Sequence, residues 1–134
     1  MIEYIGRREI IESLYVSTFR IGQKQMQVLD NLRKNGQLKE AVFLTSDLNS
    51  KDAEQYNYFE FCKKVCECNG WDLISINNHS KIILMRTEQN YYVIETSSNL
   101  NENPKLEQYN FENDKGTYEF YKGFFEACKN MNHK

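Results

Sequence analysis

Apolar residues fall in short dense runs and in spaced stripes along the 134-residue chain, and the two patterns take turns. The run IIESLYVSTF is β-branched and aromatic, and predicts a first strand. In GQKQMQVLDNLRKNG, Met26, Leu29 and Leu32 recur at helical spacing, and Gly36 stands where a helix stops. EAVFLTS is a short apolar run with polar borders, the pattern of a buried strand. SKDAEQYNYFEFCKKVCECNG predicts a second helix. Ser50 is placed to cap it, Tyr58, Phe59, Cys62, Val65 and Cys66 share one face, and Gly70 closes it. WDLISI and SKIILM predict a third and a fourth strand, RTEQN a turn, and YYVIET a fifth strand. EQYNF adds a short strand. TYEFYKGFFEACKN predicts a last helix, capped by Thr117, with Phe120, Tyr121, Phe124, Phe125 and Cys128 on a broad aromatic face.

The order βαβα argues for parallel strands with helices packed on the sheet. The fourth and fifth strands, joined by a short turn, predict an antiparallel hairpin. The expected fold is therefore α/β: a mixed sheet flanked by helices, βαβα followed by a β-hairpin and a C-terminal helix. No linker or internal repeat divides residues 1–134, so one domain is expected.

Composition narrows the function classes. The net charge is −2, from 17 Lys plus Arg against 19 Asp plus Glu. A broad basic surface of the kind many sequence-tolerant nucleic-acid binders carry is excluded, so any phosphate-binding surface must be local. The first residues, MIEYIGRREIIESLYV, lack the basic start and apolar stretch of a signal peptide. No segment approaches the roughly 18 apolar residues of a membrane span. The expectation is a cytoplasmic protein with no membrane partner. Cys62, Cys66, Cys68 and Cys128 are then expected as thiols. Cys62 and Cys66 sit at i, i+4 in a helical stripe with no histidine near in sequence, so they read as small hydrophobes rather than metal ligands.

Candidate chemistry gathers at one hairpin. His79, Ser80 and Lys81 lead into the fourth strand, and TSSNLNENP leaves the fifth. In an antiparallel hairpin the start of one strand lies beside the end of its partner. His79 and Lys81 are i, i+2 and share a face, as do Ser97 and Asn99. An imidazole, an ammonium, a hydroxyl and an amide together suit a phosphate. Histidine titrates near neutrality and can act as a covalent nucleophile.

HSK, then a hairpin, then TSSNLNENPKLEQ resembles the phospholipase D superfamily. That family's motif is His-x-Lys followed, after a variable stretch, by Gly-Ser-x-x-Asn or Gly-Ser-x-Asn. The similarity is to its small one-motif members, several of them nucleases or found on phage and mobile elements. It covers the chain from the first strand to about Glu107. By this resemblance His79 would be the nucleophile, Lys81 a phosphate ligand, Ser97 and Asn99 the hydroxyl and amide, and Glu107 the support of the histidine. Two positions depart from the pattern. Arg86 stands where the motif has an Asp generally regarded as structural, and Thr96 stands for the Gly before the serine, where glycine lets a backbone approach closely.

One-motif members resemble half an enzyme, so the resemblance implies an isologous homodimer with the site across the two-fold axis. It also implies a metal-independent phosphodiesterase without cofactors that works through a phosphohistidine on nucleic acid or another phosphodiester. Arg20 and Lys24 follow the first strand, with Phe19 beside them. Loops at the carboxyl ends of strands gather ligands, so Arg20 and Lys24 could meet a backbone phosphate and Phe19 could stack on a base. The alternative is a catalytically degenerate module that binds nucleic acid or protein.

Overall fold

A single strand in the middle of the sheet sets the positions of all the others. The computed structural model describes residues 2–18, 22–46, 53–76, 81–96 and 109–132. In chain order the first elements are α1 (Ile2–Arg8), β1 (Ile11–Ser17), α2 (Gln23–Lys34), β2 (Leu38–Ser46) and α3 (Ala53–Asn69). Then come β3 (Asp72–Ile76), β4 (Ile82–Thr87), β5 (Tyr91–Thr96), β6 (Tyr109–Asn113) and α4 (Lys115–Asn132). The six strands form one sheet in the order β3-β2-β1-β4-β5-β6. β1 pairs in parallel with β2, as β2 does with β3. On its other edge β1 pairs antiparallel with β4, and β4–β5 and β5–β6 continue antiparallel. The molecule is thus a mixed α/β fold with helices on both faces of the sheet.

The layers follow from handedness. β1→β2→β3 steps twice in the same direction, and right-handed crossovers then place both connecting helices on one face. Accordingly Met26, Leu29 and Leu32 of α2 and Cys62 and Cys66 of α3 share a core with Val16, Phe43, Met85 and Ile94. Val65 packs against it. α4 covers the opposite face, where Tyr118, Phe125 and Cys128 bury against Tyr15, Leu44, Leu84 and Val93. A bulge adjusts this alternation. Ile11 opposes Thr87 while Ser13 opposes Arg86, so β1 carries an extra residue against β4, and both Ile11 and Leu14 enter the same core layer. Gly36 and Gly70 end α2 and α3 at φ 76 and 70, the left-handed conformation glycine adopts without a Cβ penalty.

One element lies where the sequence raised no expectation, and three expectations are corrected. The stretch before β1 forms helix α1, held by the buried side chains Ile2 and Ile5. Gly6 faces Leu32 so closely that a Cβ there would lie 3.0 Å from its methyl group. Arg86 and Thr87, expected in the turn, belong to β4. The cap of α4 is Asp114: its carboxylate accepts bonds from the Thr117 backbone N–H at 2.8 Å and the Thr117 hydroxyl at 2.6 Å. The same correction applies to the aromatic face of that helix. Phe125 and Cys128 are buried beside Tyr118, whereas Phe120 and Phe124 are exposed. Ser50, Tyr58 and Phe59 fall outside the residues whose side chains are described.

Glu9 fastens the end of the sheet opposite the strand ends discussed below. Its carboxylate accepts hydrogen bonds from the Thr87 hydroxyl, the Asn90 amide and the Tyr92 hydroxyl at 2.6 to 2.7 Å. These donors, the Tyr92 hydroxyl foremost, hold the Glu9 carboxyl below its ordinary value, and the same bond pushes Tyr92 up to about 12. Because the folded carboxyl is the stronger acid, its contribution is full above the unfolded value of roughly 4.3 and is lost as pH falls through the depressed folded one. Glu9→Ala should lower the unfolding free energy by about 2 kcal/mol at pH 7. In urea titrations from pH 7 to 3, the gap between parent and variant should narrow below about pH 4.5. A gap that stays constant down to pH 3 would contradict the assignment.

Candidate functional site

The carboxyl ends of the three parallel strands and the ends of the hairpin meet on one edge of the fold. Ser17, the last residue of β1, opposes Ile82, the first of β4. Ile82 opposes Glu95, one residue before the end of β5, and Thr96 opposes Tyr109, where β6 begins. β2 and β3 end at the same level, with Ser46 opposite Ile76. The segments carrying His79 and Ser97–Asn99 are therefore joined to strand ends at one side of the sheet. Between β1 and β4 the direction of strand progression reverses, because β2 and β3 lie on one side of β1 while β4 to β6 lie on the other. In open α/β sheets, crevices at such reversals, outside the carboxyl ends of strands, are where ligands bind.

Each parallel strand brings hydroxyls to this end. Ser17, Thr18 and Thr45 are buried, unlike most polar residues. Thr45 is 3% exposed and is the register partner of Ser75. The Thr45 Oγ1 and Ser75 Oγ atoms are buried and have no hydrogen-bond partner among the described residues. The sequence carried a signal for this layer that strand prediction passed over, since YVST, FLTS and LISI place serine or threonine at or near the end of each parallel strand.

The N-terminus of α2 belongs to the same end, since the helix runs back antiparallel to the strands it connects. Its N-cap is Gly22, with no side-chain cap, and its first turn contains no acidic residue. Instead Lys24 lies there, exposed. Uncapped N–H groups and a lysine on the positive end of the helix dipole are locally unfavourable, and both are relieved by an anion. Lys81 is half-buried two residues ahead of Ile83, on the strand parity that faces α2 and α3. Two lysines are thus the predicted site residues that the described structure contains. Phe19, Arg20, His79, Ser97, Asn99 and Glu107 lie outside the described residues.

Arg86 is placed clearly. It opposes Ser13 and Tyr91 near the far end of β4, on the parity of Leu84, which packs with α4. Five residues of strand put it about 17 Å from Lys81. Its charge acts on the phenols of Tyr15 and Tyr118, easing the rise that burial imposes on both. Arg86 therefore sits at the opposite end of β4 from Lys81 and contributes to the α4 face. The cysteines Cys62, Cys66 and Cys128 are buried, and desolvation raises all three thiols, Cys62 to about 12. Such thiols are inert at neutral pH. Among the described residues no group of three or more His, Cys, Asp or Glu is placed to hold a metal ion. No helix among them is long and apolar enough to cross a membrane.

A recess lies on the α4 face, lined by Tyr15, Glu40, Asp72, Glu126 and Lys129. Its polar groups are largely satisfied internally. Lys129 pairs with Asp72 at 3.0 Å, and the Tyr15 hydroxyl donates to Glu126 at 3.1 Å.

Comparison with protein-family models gives no match, and comparison with curated proteins gives none either. The functional reading therefore rests on residue chemistry and topology.

An unpartnered buried hydroxyl costs roughly 1–3 kcal/mol of desolvation, and valine keeps the shape of threonine without it. Thr45→Val should accordingly raise stability by about 1 kcal/mol, measured by urea unfolding. A loss of similar size would show that the hydroxyl is paired in the folded protein.

Proposed function

We propose that the chain is a metal-independent phosphodiesterase of the phospholipase D type, acting on nucleic acid from a site at the strand ends between β1 and β4. The observation that carries the reading is the entry of β4 beside the carboxyl end of β1. Lys81 immediately precedes β4 at the reversal of the sheet, and β5 ends at Thr96, directly before Ser97 and Asn99. The uncapped end of α2 with Lys24 adds positive potential on the same side, which suits a polyanion even though the chain as a whole carries a charge of −2.

In this mechanism the neutral imidazole of His79 attacks phosphorus. A P–N bond forms, the P–O bond to the leaving group breaks, and the leaving oxygen takes a proton from a second His79. That second histidine, supplied by the partner in a two-fold dimer, then removes a proton from water. The resulting hydroxide attacks phosphorus, the P–N bond breaks, and a phosphomonoester leaves. Lys81 and Asn99 of both subunits hold the charge that develops on the equatorial oxygens. Glu107 fixes the tautomer of the imidazole, as orienting carboxylates do. Thr96, a β5 residue paired with Tyr109, takes the place of the motif's glycine and supplies a regular strand end before Ser97.

Incubation with single- and double-stranded DNA and RNA in EDTA tests the reading. The parent should cleave at least one substrate. His79→Ala should lose about 10⁴-fold in kcat, because it removes both the nucleophile and the acid. Lys81→Met should lower kcat/KM by at least about 100-fold. Cleavage undiminished in His79→Ala would refute the site. Tight oligonucleotide binding with no cleavage by the parent would identify a binding module that has kept the architecture without the chemistry.

A further inference from the structure

The register of the sheet brings one side chain from each of four neighbouring strands into a single row. Thr45 of β2 is the partner of Ser75 of β3. Ser17 is the partner of Leu44 on one side and of Ile82 on the other. The next residue, Thr18, extends the parallel pairing through its N–H to the Leu44 carbonyl at 3.0 Å. One step beyond those pairs, Thr18 therefore stands between Thr45 and Lys81. Parity puts all four on the side of α2 and α3. Thr18 follows Val16, Thr45 follows Phe43, Ser75 follows Leu73 and Lys81 precedes Ile83, and all four of those apolar residues belong to or pack against the core on that side. Three hydroxyls and an ammonium thus cross the carboxyl ends of β3, β2 and β1 and the start of β4. At roughly 4.8 Å per strand the row is about 14 Å long.

Two members of the row are unused by the fold. Thr45 is 3% exposed, and its Oγ1 and the Ser75 Oγ have no hydrogen-bond partner among the described residues. As register partners on neighbouring strands they lie side by side, close enough to donate to one acceptor between them. Several features select an anion as that acceptor. None of the four residues is acidic, and Glu95 of β5 lies on the opposite parity with Val93, where it accepts from the Tyr121 hydroxyl. α2 and α3 both begin at this end, each returning from a parallel strand, and the α2 N-terminus has neither a side-chain cap nor an acidic residue in its first turn. Hydroxyls beneath the positive ends of helices suit a charged oxygen, to which a hydrogen bond is about twice as strong as to a neutral one. The row is longer than one phosphate, so it suits a ligand with anionic groups repeated along a chain. Thr18 and Thr45 are deeply recessed, which favours a backbone that bends over a stiff duplex. Neutral donors also agree with a chain whose net charge is −2.

We infer that this row is a track for single-stranded nucleic acid, in which Thr45 and Ser75 jointly hold the phosphate next to the one at Lys81. The inference rests on the phosphodiesterase reading only for the scissile phosphate at Lys81. The track itself is a binding site made largely of neutral donors, and such donors release no counterions.

Fluorescence anisotropy tests this, with a labelled single strand of about 12 nucleotides in EDTA and the His79→Ala chain, so that the probe stays intact. In that background Thr45→Val and Ser75→Ala should each weaken binding about tenfold, since each removes a hydrogen bond to a charged oxygen. Thr45→Ser, which keeps the hydroxyl, should bind as the His79→Ala chain does. The slope of log affinity on log salt should stay unchanged in Thr45→Val, whereas Lys81→Met should flatten it by about 0.7. A duplex of the same sequence should bind less tightly than the single strand. Thr45→Val is expected to resist urea better than its parent, so a weakened fold cannot account for its loss of affinity. No binding by the His79→Ala chain, equal binding by Thr45→Val, or a duplex bound as tightly as the single strand would overturn the inference. The two readings fail separately. Cleavage with a kcat/KM that Thr45→Val and Ser75→Ala leave unchanged removes the track and keeps the phosphodiesterase. Hydroxyl-dependent binding with no cleavage by the parent keeps the track and removes the phosphodiesterase.

Discussion

Everything else in the fold depends on β1 having a parallel neighbour on one edge and an antiparallel neighbour on the other. A parallel neighbour requires a crossover, and the crossover helix must cover one face of the sheet. Two such crossovers in the same direction put α2 and α3 side by side, where Asn69 of α3 donates to Asp30 of α2 at 2.9 Å. That face is then full. The antiparallel edge continues through β4 and β5 to β6, and α4 closes the other face. The buried strand residues Leu14, Val16, Phe43, Leu44, Leu84 and Ile94 are nearly inaccessible because both faces are covered.

The same arrangement separates stability from chemistry. One end of the sheet is tied by Glu9 to Thr87, Asn90 and Tyr92, and by Asn113 to Asn90 and to the Tyr91 backbone. These bonds join α1, the β4–β5 turn and β6, and every acceptor in them is used. The opposite end is built differently. It holds buried hydroxyls, two of them unpartnered, and a helix N-terminus without a cap. Real sequences break local rules where function demands it. Two of the three unpartnered buried groups among the described residues, Thr45 Oγ1 and Ser75 Oγ, lie where strand ends and the α2 N-terminus converge, which is where polar groups are of use to a ligand; the third, the Tyr118 hydroxyl, lies under α4.

Much of the fold was legible because dense apolar runs and helical stripes are separated by clear stops. YYVIET marks β5 residue for residue, and Gly36 and Gly70 mark the ends of α2 and α3. The misses have distinct physical causes. α1 has only Ile2 and Ile5 buried besides Gly6, so periodicity had little to work on; its position depends on the closeness of Gly6 to Leu32, a tertiary contact. β4 runs two residues past its apolar run because Arg86 and Thr87 are held by pairing with β1 rather than by burial preference. Of the candidate site, the grouping of Lys81 with the end of β5 followed from hairpin geometry alone. The hydroxyl residues near it were visible in YVST, FLTS and LISI, but only a topology that aligns the three strand ends brings these scattered residues to one end of the sheet.

Helix α4 shows why an aromatic count cannot assign a face. Its sequence offers Tyr118, Phe120, Tyr121, Phe124 and Phe125, rings spread over nearly half the helix, and burial of apolar area alone does not choose among rotations. Polar pairs make the choice. Asp114 fixes the first turn through Thr117, Tyr121 donates to Glu95, Glu126 accepts from Tyr15, and Lys129 pairs with Asp72. Each of these has its partner on a strand or at the helix start, and together they hold a single rotation about the axis. In that rotation Tyr118 sits edge-on to both Tyr15 and Tyr91, with Phe125 against Tyr15. Turning the helix by one residue, about 100°, to bury Phe120 would break the ion pair and every side-chain bond to the sheet at once. Phe120 and Phe124 are left outside by the electrostatics of the opposite face, so their exposure is a fixed feature of the folded chain.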